Sequence, residues 1–241
     1  MSTQHALGAA FTTAAYVVGA AVFYFAARQR RLATEGMGWL ALAGLCGGIV
    51  GAKLTEWVLM HPALLRAQPL AFFNPALGGR TLIGGVLVGW LCVEIAKQHL
   101  GIRRSTGDLF ALALPAGEAV GRVGCFFNSC CFGVPTKAAF AVWQHDAWRH
   151  PTQLYLAFVA AAIFVVLWQL RNHMRHEGDL FKLYLLLWAS SRFVIEFLRQ
   201  RDVVAGNLSL AQWMCLEIAV MSTLLLLRHR IRFVLSFGKT E

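Results

Sequence analysis

Seven times along this chain a stretch of roughly twenty residues passes with almost no charge, the length an α-helix needs to cross the hydrocarbon core of a bilayer. Lipid offers no partner to a bare peptide group, so each stretch must satisfy its own backbone, and only a helix or a closed barrel does that. The stretches are too long and too uniformly apolar for barrel strands. They predict helices over 7–27, 38–60, 81–97, 107–124, 152–170, 179–199 and 209–227. Composition agrees: 58% of the 241 residues are hydrophobic and 14% charged, outside the range of soluble domains. The expected fold class is all-α, a polytopic membrane protein of seven transmembrane helices forming a single domain over 1–241. The first stretch has no basic segment before it and is expected to stay as a helix rather than be removed as a signal peptide.

The net charge of +10 comes from 22 Lys+Arg against 12 Asp+Glu. In a soluble protein it would raise nucleic acid as a partner; between membrane spans it follows from the orientation rule, and no nucleic acid is expected. Arg28, Arg30, Arg31, Lys97, Arg103, Arg104, Arg171, Arg175, Arg228, Arg230, Arg232 and Lys239 fall on one side of the predicted spans. Arg66, Arg80, Arg122, Lys137, Arg149, Arg199 and Arg201 fall on the other, and Lys53, Lys182 and Arg192 within spans. Twelve against seven puts the N-terminus outside and the C-terminus in the cytoplasm. Two outer segments, 61–80 and 125–151, are too long for tight turns and are expected to lie on the membrane surface or form a small cap. Pro62, Pro69 and Pro75 exclude a continuous helix in the first. Small residues at Gly44, Gly48, Gly51, Gly85, Gly89, Gly117, Gly121 and Gly124 would let helices approach closely.

Charges inside the spans say more, because each costs at least about 2.5–3.5 kcal/mol at the bilayer centre unless paired or wetted. In the sixth span Arg192, Glu196 and Arg199 are four and three apart and share a helix face. They read either as an ion pair locking helices or as a guanidinium presented to an anion, since its planar fork of donors matches phosphate. Arg199 and Asp202 would equally serve as boundary anchors. The fourth span carries Glu118 and Arg122, four apart, with Gly121 and Gly124 beside them and Asn128 just beyond. Two Arg–acid pairs on separate spans suggest a cleft for a phosphate head group.

GRVGCFFN at 121–128 resembles the signature of the bacterial prolipoprotein diacylglyceryl transferases, Gly-Arg-x-Gly-Asn-Phe-x-Asn-x-Glu. Three more stretches agree in order: GGIVGAKL at 47–54, HPTQLY at 150–155 against His-Pro-Ser-Gln-Leu-Tyr, and RFVIEFLRQRD at 192–202 against Arg-Phe-x-x-Glu-Phe-x-Arg. The resemblance implies a seven-helix enzyme of the bacterial cytoplasmic (inner) membrane, with its active site facing the periplasm or exterior. It would move the diacylglyceryl group of phosphatidylglycerol, or a related anionic phospholipid, onto the lipobox cysteine thiol of a prolipoprotein signal peptide. Arg122, Arg192 and Glu196 are carried over as catalytic; Asn128, Glu118, Gly84, Gly85, Gln153, Tyr155, Arg199, Cys125 and Cys130 as substrate-binding. No cofactor is expected.

Four positions depart from the family. Its His-Gly-Gly motif on the third helix is Ile83-Gly84-Gly85; its signature Asn and closing Glu are Cys125 and Cys130; and the Glu that often follows its His-Pro-Ser-Gln-Leu-Tyr is Leu156. The phosphate-binding half is retained and the proton-handling half changed. An imidazole exchanges protons near neutral pH and isoleucine does not, so His150 is named as the replacement base, while Glu118 and Glu196 are engaged with arginines. Cys46, Cys92 and Cys215 fall in apolar spans as small hydrophobes, whereas Cys125, Cys130 and Cys131 cluster. Their C-x-x-x-x-C-C spacing matches no common zinc pattern, so no metal is expected, and a disulfide between two of the three is allowed in an oxidising periplasm. The alternatives are the same scaffold with another acceptor, a membrane thiol oxidoreductase using Cys125, Cys130 and Cys131, and an anion transporter, against which the lack of repeat symmetry counts.

Overall fold

A computed structural model describes residues 3–30, 36–60, 62–73, 82–174, 176–200 and 203–237. Arg31, Pro75, Arg80, Arg175, Arg201, Asp202 and Lys239, named above, lie outside the described residues, as do the side chains of Ile83, Arg230 and Arg232. The helices are α1 (Thr3–Gln29), α2 (Gly36–Met60), α3 (Pro62–Ala67), α4 (Leu82–His99), α5 (Gly107–Phe127), α6 (Thr152–Leu170), α7 (Asp179–Glu196) and α8 (Leu210–Phe237). Among the described residues five helices are long and apolar enough to cross a membrane: α1, α2, α5, α6 and α8. The other two expected spans form as α4 and α7, each of 18 residues and each carrying charge, Glu94 and Lys97 in one and Asp179, Lys182, Arg192 and Glu196 in the other.

The chain divides into two compact units. In Ala27–Arg104, α2 and α4 meet along a seam of glycines. A Cβ on Gly85 would lie 3.0 Å from the Gly48 carbonyl oxygen, one on Gly89 3.1 Å from that of Gly44, and one on Gly84 2.6 Å from that of Gly51. Backbones so close leave dispersion and Cα–H contacts to hold the pair where lipid removes any hydrophobic drive. The segment after α2 breaks at its prolines as expected, into α3 and a 3₁₀ turn over Pro69–Phe73.

The second unit joins Met1–Ala26 to Ser105–Glu241, with α5 at its centre. One face of α5 carries Gly117, Gly121 and Gly124 against α1, a Cβ on Gly124 falling 3.0 Å from the Gly8 carbonyl oxygen. The bare face predicted beside Arg122 therefore receives a partner helix. Its other faces pack on α6 and α7, and α7 packs on α8.

Residues 128–151 form a cap that periodicity could not resolve: β1 (Val142–Gln144) and β2 (Ala147–Arg149) pair antiparallel around a two-residue turn, with Val142 opposite Arg149. His145 and Asp146 occupy that turn with φ of 48° and 57°, the conformation a two-residue hairpin requires. Arg149 clamps the cap. Its guanidinium donates to the Gln144 and Gly133 carbonyls and to Gln200 Oε1 (2.7 Å), and lies 4.9 Å from the Phe132 ring centre. Trp143 and Trp148 pair edge to face at 5.7 Å across the hairpin and are exposed.

Gly133 threads between two backbones, donating its N–H to the His150 carbonyl at 3.0 Å. A Cβ there would lie 2.5 Å from the His150 oxygen and 2.7 Å from that of Leu198, whereas Gly38 has nothing within 4 Å. Gly133→Ala is expected to cost about 1–3 kcal/mol, the usual range for forced overpacking. It should lower the thermal midpoint of the detergent-solubilised protein, and Gly38→Ala should not.

Candidate active site

Tyr184, Trp188, Arg192 and Glu196 recur at every fourth position of α7 and are all buried, so one stripe of this apolar helix is polar and faces inward. Opposite it on α5, Glu118 accepts from Arg122 Nε at 3.1 Å and Nη2 at 2.8 Å through one oxygen. Its second oxygen accepts from Trp188 Nε1 at 3.0 Å, so a single carboxylate ties α5 to α7. One helical turn further along α7, Arg192 Nη1 is paired with Glu196 Oε2, and Arg199 Nη1 reaches the same oxygen at 3.5 Å. The spacings of four and three in the sequence thus become one carboxylate holding two guanidiniums.

The two clusters are one site. Glu118, Trp188, Ser191 and Arg192 line a narrow cavity with Leu156, Ala160 and Ile163 of α6, and Arg122 lies close enough to Arg192 for their charges to repel. The space is about 10 Å³, room for a single water molecule. Among the described residues three guanidiniums stand against two carboxylates here, a surplus of one positive charge. Leu156 lines this same cavity, so the position at which relatives of the resembled family often carry Glu is an apolar wall.

The remaining residues named from the sequence fall in three places. Asn128, at the end of α5, lies against the bare backbone of Gly8. His150 Nδ1 and the Tyr155 hydroxyl are hydrogen-bonded at 3.1 Å at the start of α6, with the Phe140 ring beside both. Gln153 is fully buried and is an internal brace, donating to the Cys130 carbonyl at 2.7 Å and to Gln144 Oε1 at 3.2 Å, while Thr152 donates to the Cys131 carbonyl at 2.7 Å. Gly84 and Gly85 sit in the α2–α4 seam of the other unit.

All six cysteines are free, in place of the disulfide allowed above, and Cys46 is exposed rather than packed in a core. The sulfurs of Cys125, Cys130 and Cys131 lie within 4.8 Å of one another. Hydrogen bonding with Cys125 and Cys130, and then the charges of Arg199 and Arg122, push the Cys131 thiol well below the usual range, while hydrogen bonding with Cys125 and Cys131 pushes the Cys130 thiol up.

Sequence reasoning missed Trp188, Gly8 and Thr152. The four-residue repeat 184, 188, 192, 196 was the available signal for Trp188. Because Glu196 is buried and holds two guanidiniums, Glu196→Gln should leave both uncompensated and destabilise the protein by about 3–5 kcal/mol, read as a lowered denaturation midpoint in detergent.

The profile of the prolipoprotein diacylglyceryl transferase family matches residues 5–228. Relatives named phosphatidylglycerol-prolipoprotein diacylglyceryl transferase include one from Thermotoga maritima, 32% identical over 81% of this chain and 72% of its own. Another, from Polynucleobacter asymbioticus, is 31% identical over 89% of both chains, and one from Nitratidesulfovibrio vulgaris is 30% identical over 84% and 83%. With its four ordered motifs and a match over nearly its whole length, the chain belongs to the prolipoprotein diacylglyceryl transferase family.

Proposed function

We propose that this protein transfers the diacylglyceryl group of phosphatidylglycerol to the cysteine thiol of a prolipoprotein. The observation that carries the reading is the cluster of Arg122, Arg192 and Arg199 around Glu118 and Glu196, buried at Arg192 and Glu196 and half-buried at the others, with its surplus positive charge. In the transfer the thiol sulfur attacks the glycerol carbon that bears the phosphate ester; a C–S bond forms, the C–O bond breaks, and its electron pair leaves on glycerol phosphate. Negative charge grows on that leaving group, and preorganised guanidiniums in a dry site stabilise it more than the ground state. Arg122 and Arg192 hold the phosphate, Glu118 and Glu196 fix their planes, and Asn128, Arg199 and Tyr155 complete the head-group pocket. The thiol proton goes to His150, whose ring is oriented by Tyr155.

The same reading completes the membrane architecture. Helices of 18 residues, α4 and α7, are about 27 Å long, close to the roughly 30 Å of hydrocarbon they must cross. The α7 charges form ion pairs within the helix and at its end, which lowers the cost of burying them. Apolar length supports seven spans, and the lysine and arginine distribution supports an outer N-terminus and a cytoplasmic C-terminus, with the Arg cluster toward the periplasm in the bacterial inner membrane.

Arg122→Ala and Arg192→Ala should each lower diacylglyceryl release from labelled phosphatidylglycerol by about 10²–10³-fold, the loss expected for one preorganised donor to a developing anion. Full lipid turnover in either variant would remove the reading. Incubated with a lipobox peptide, the wild-type protein should form a thioether product; lipid turnover without it would assign another acceptor to the same site.

A further inference from the structure

Beside the arginine cluster, the segment from Cys125 to Cys131 brings together three thiols that take no part in the bond making and breaking of the transfer. We propose that Cys125, Cys130 and Cys131 form a binding site for a soft d¹⁰ metal cation, held as a three-coordinate thiolate complex. Their sulfurs already lie within 4.8 Å of one another. Metal–sulfur bonds of about 2.3 Å place three sulfurs about 4 Å apart, so side-chain rotation closes the site without moving the backbone.

The backbone is held in place for this. The first turn of α6 fixes both cysteine carbonyls, through Thr152 to Cys131 and Gln153 to Cys130, and both side chains are completely buried. Cys131 itself adopts φ 61°, a conformation L-residues rarely take, which turns its side chain back toward Cys125. The Thr152 and Gln153 hydrogen bonds hold the backbone from which two of the three thiols project. Cys130 is exposed and Cys125 and Cys131 are half-buried, so an ion has a path in.

The donor set selects the ion. Three sulfurs without a carboxylate favour thiophilic cations over magnesium or calcium, which take oxygen ligands. Each ligating thiol releases its proton to solvent, and a dication with three thiolates carries one net negative charge. Arg122 faces Cys125 and Cys131, and Arg199 faces Cys131, so that charge is balanced.

The test uses the full-length protein in detergent, reduced with a phosphine, stripped of metal and titrated with Cd²⁺. One equivalent should produce a sulfur-to-cadmium charge-transfer band and protect three of the six thiols from maleimide, while Mg²⁺ does neither. Cys130→Ser is at an exposed position that tolerates a hydroxyl; it should weaken Cd²⁺ binding by more than about 100-fold, beyond the cost of losing an outer-shell partner. Cys46→Ser should leave it unchanged. A band that fails to saturate at one equivalent, or that survives Cys130→Ser, overturns the proposal. So does a disulfide in the unreduced protein whose reduced form binds no Cd²⁺, which would make the cluster a redox pair instead.

Discussion

Glu118 is the interaction on which the rest of the site depends. A carboxylate and a guanidinium four residues apart on α5 would be an ordinary helical pair in water, worth a few tenths of a kcal/mol. Here the pair is half-buried between helices, and the second Glu118 oxygen accepts from the Trp188 indole of α7. The requirement to neutralise one helix's charge therefore fixes where another helix lies. Glu196 repeats the device within α7 and its continuation, gathering Arg192 and Arg199 on one oxygen.

Glycine makes that arrangement possible from the other side. Gly117, Gly121 and Gly124 let α1 come against the back of α5, so its polar face is pressed toward α6 and α7. The cap then closes on the end of α7 through Gly133, which fits between the His150 and Leu198 backbones. Backbone packing on one face of α5 and charge pairing on the other thus act together to position it.

Much of this was legible beforehand. Apolar length gave the helices, and spacings of three and four gave the Arg–Glu pairs, because both are periodic properties of a single element. The family motifs singled out Arg122 and Arg192, which the structure brings into one cluster. Contacts between elements were not legible: Trp188 looked like one more apolar residue, and nothing in the letters said that its N–H would meet Glu118. HPTQLY was read as lining the lipid site, yet Gln153 braces the cysteine turn, because a buried amide takes whichever carbonyls the tertiary fold leaves unpaired. The β-hairpin escaped for another reason. Its strands are three residues long, below the length at which alternation can be distinguished from chance.

The surplus guanidinium charge has two claimants. Cys131 lies in the field of Arg122 and Arg199, and any anion admitted between α5 and α7 draws on the same field. Thermodynamic linkage makes such sharing reciprocal: whatever protonates, oxidises or metallates the sulfur must alter the affinity for the anion, and the anion must alter the sulfur's reactivity by the same free energy. A metal held by Cys125, Cys130 and Cys131, as proposed above, would therefore change how tightly the cleft holds an anion, and an anion in the cleft would change how tightly the sulfurs hold the metal.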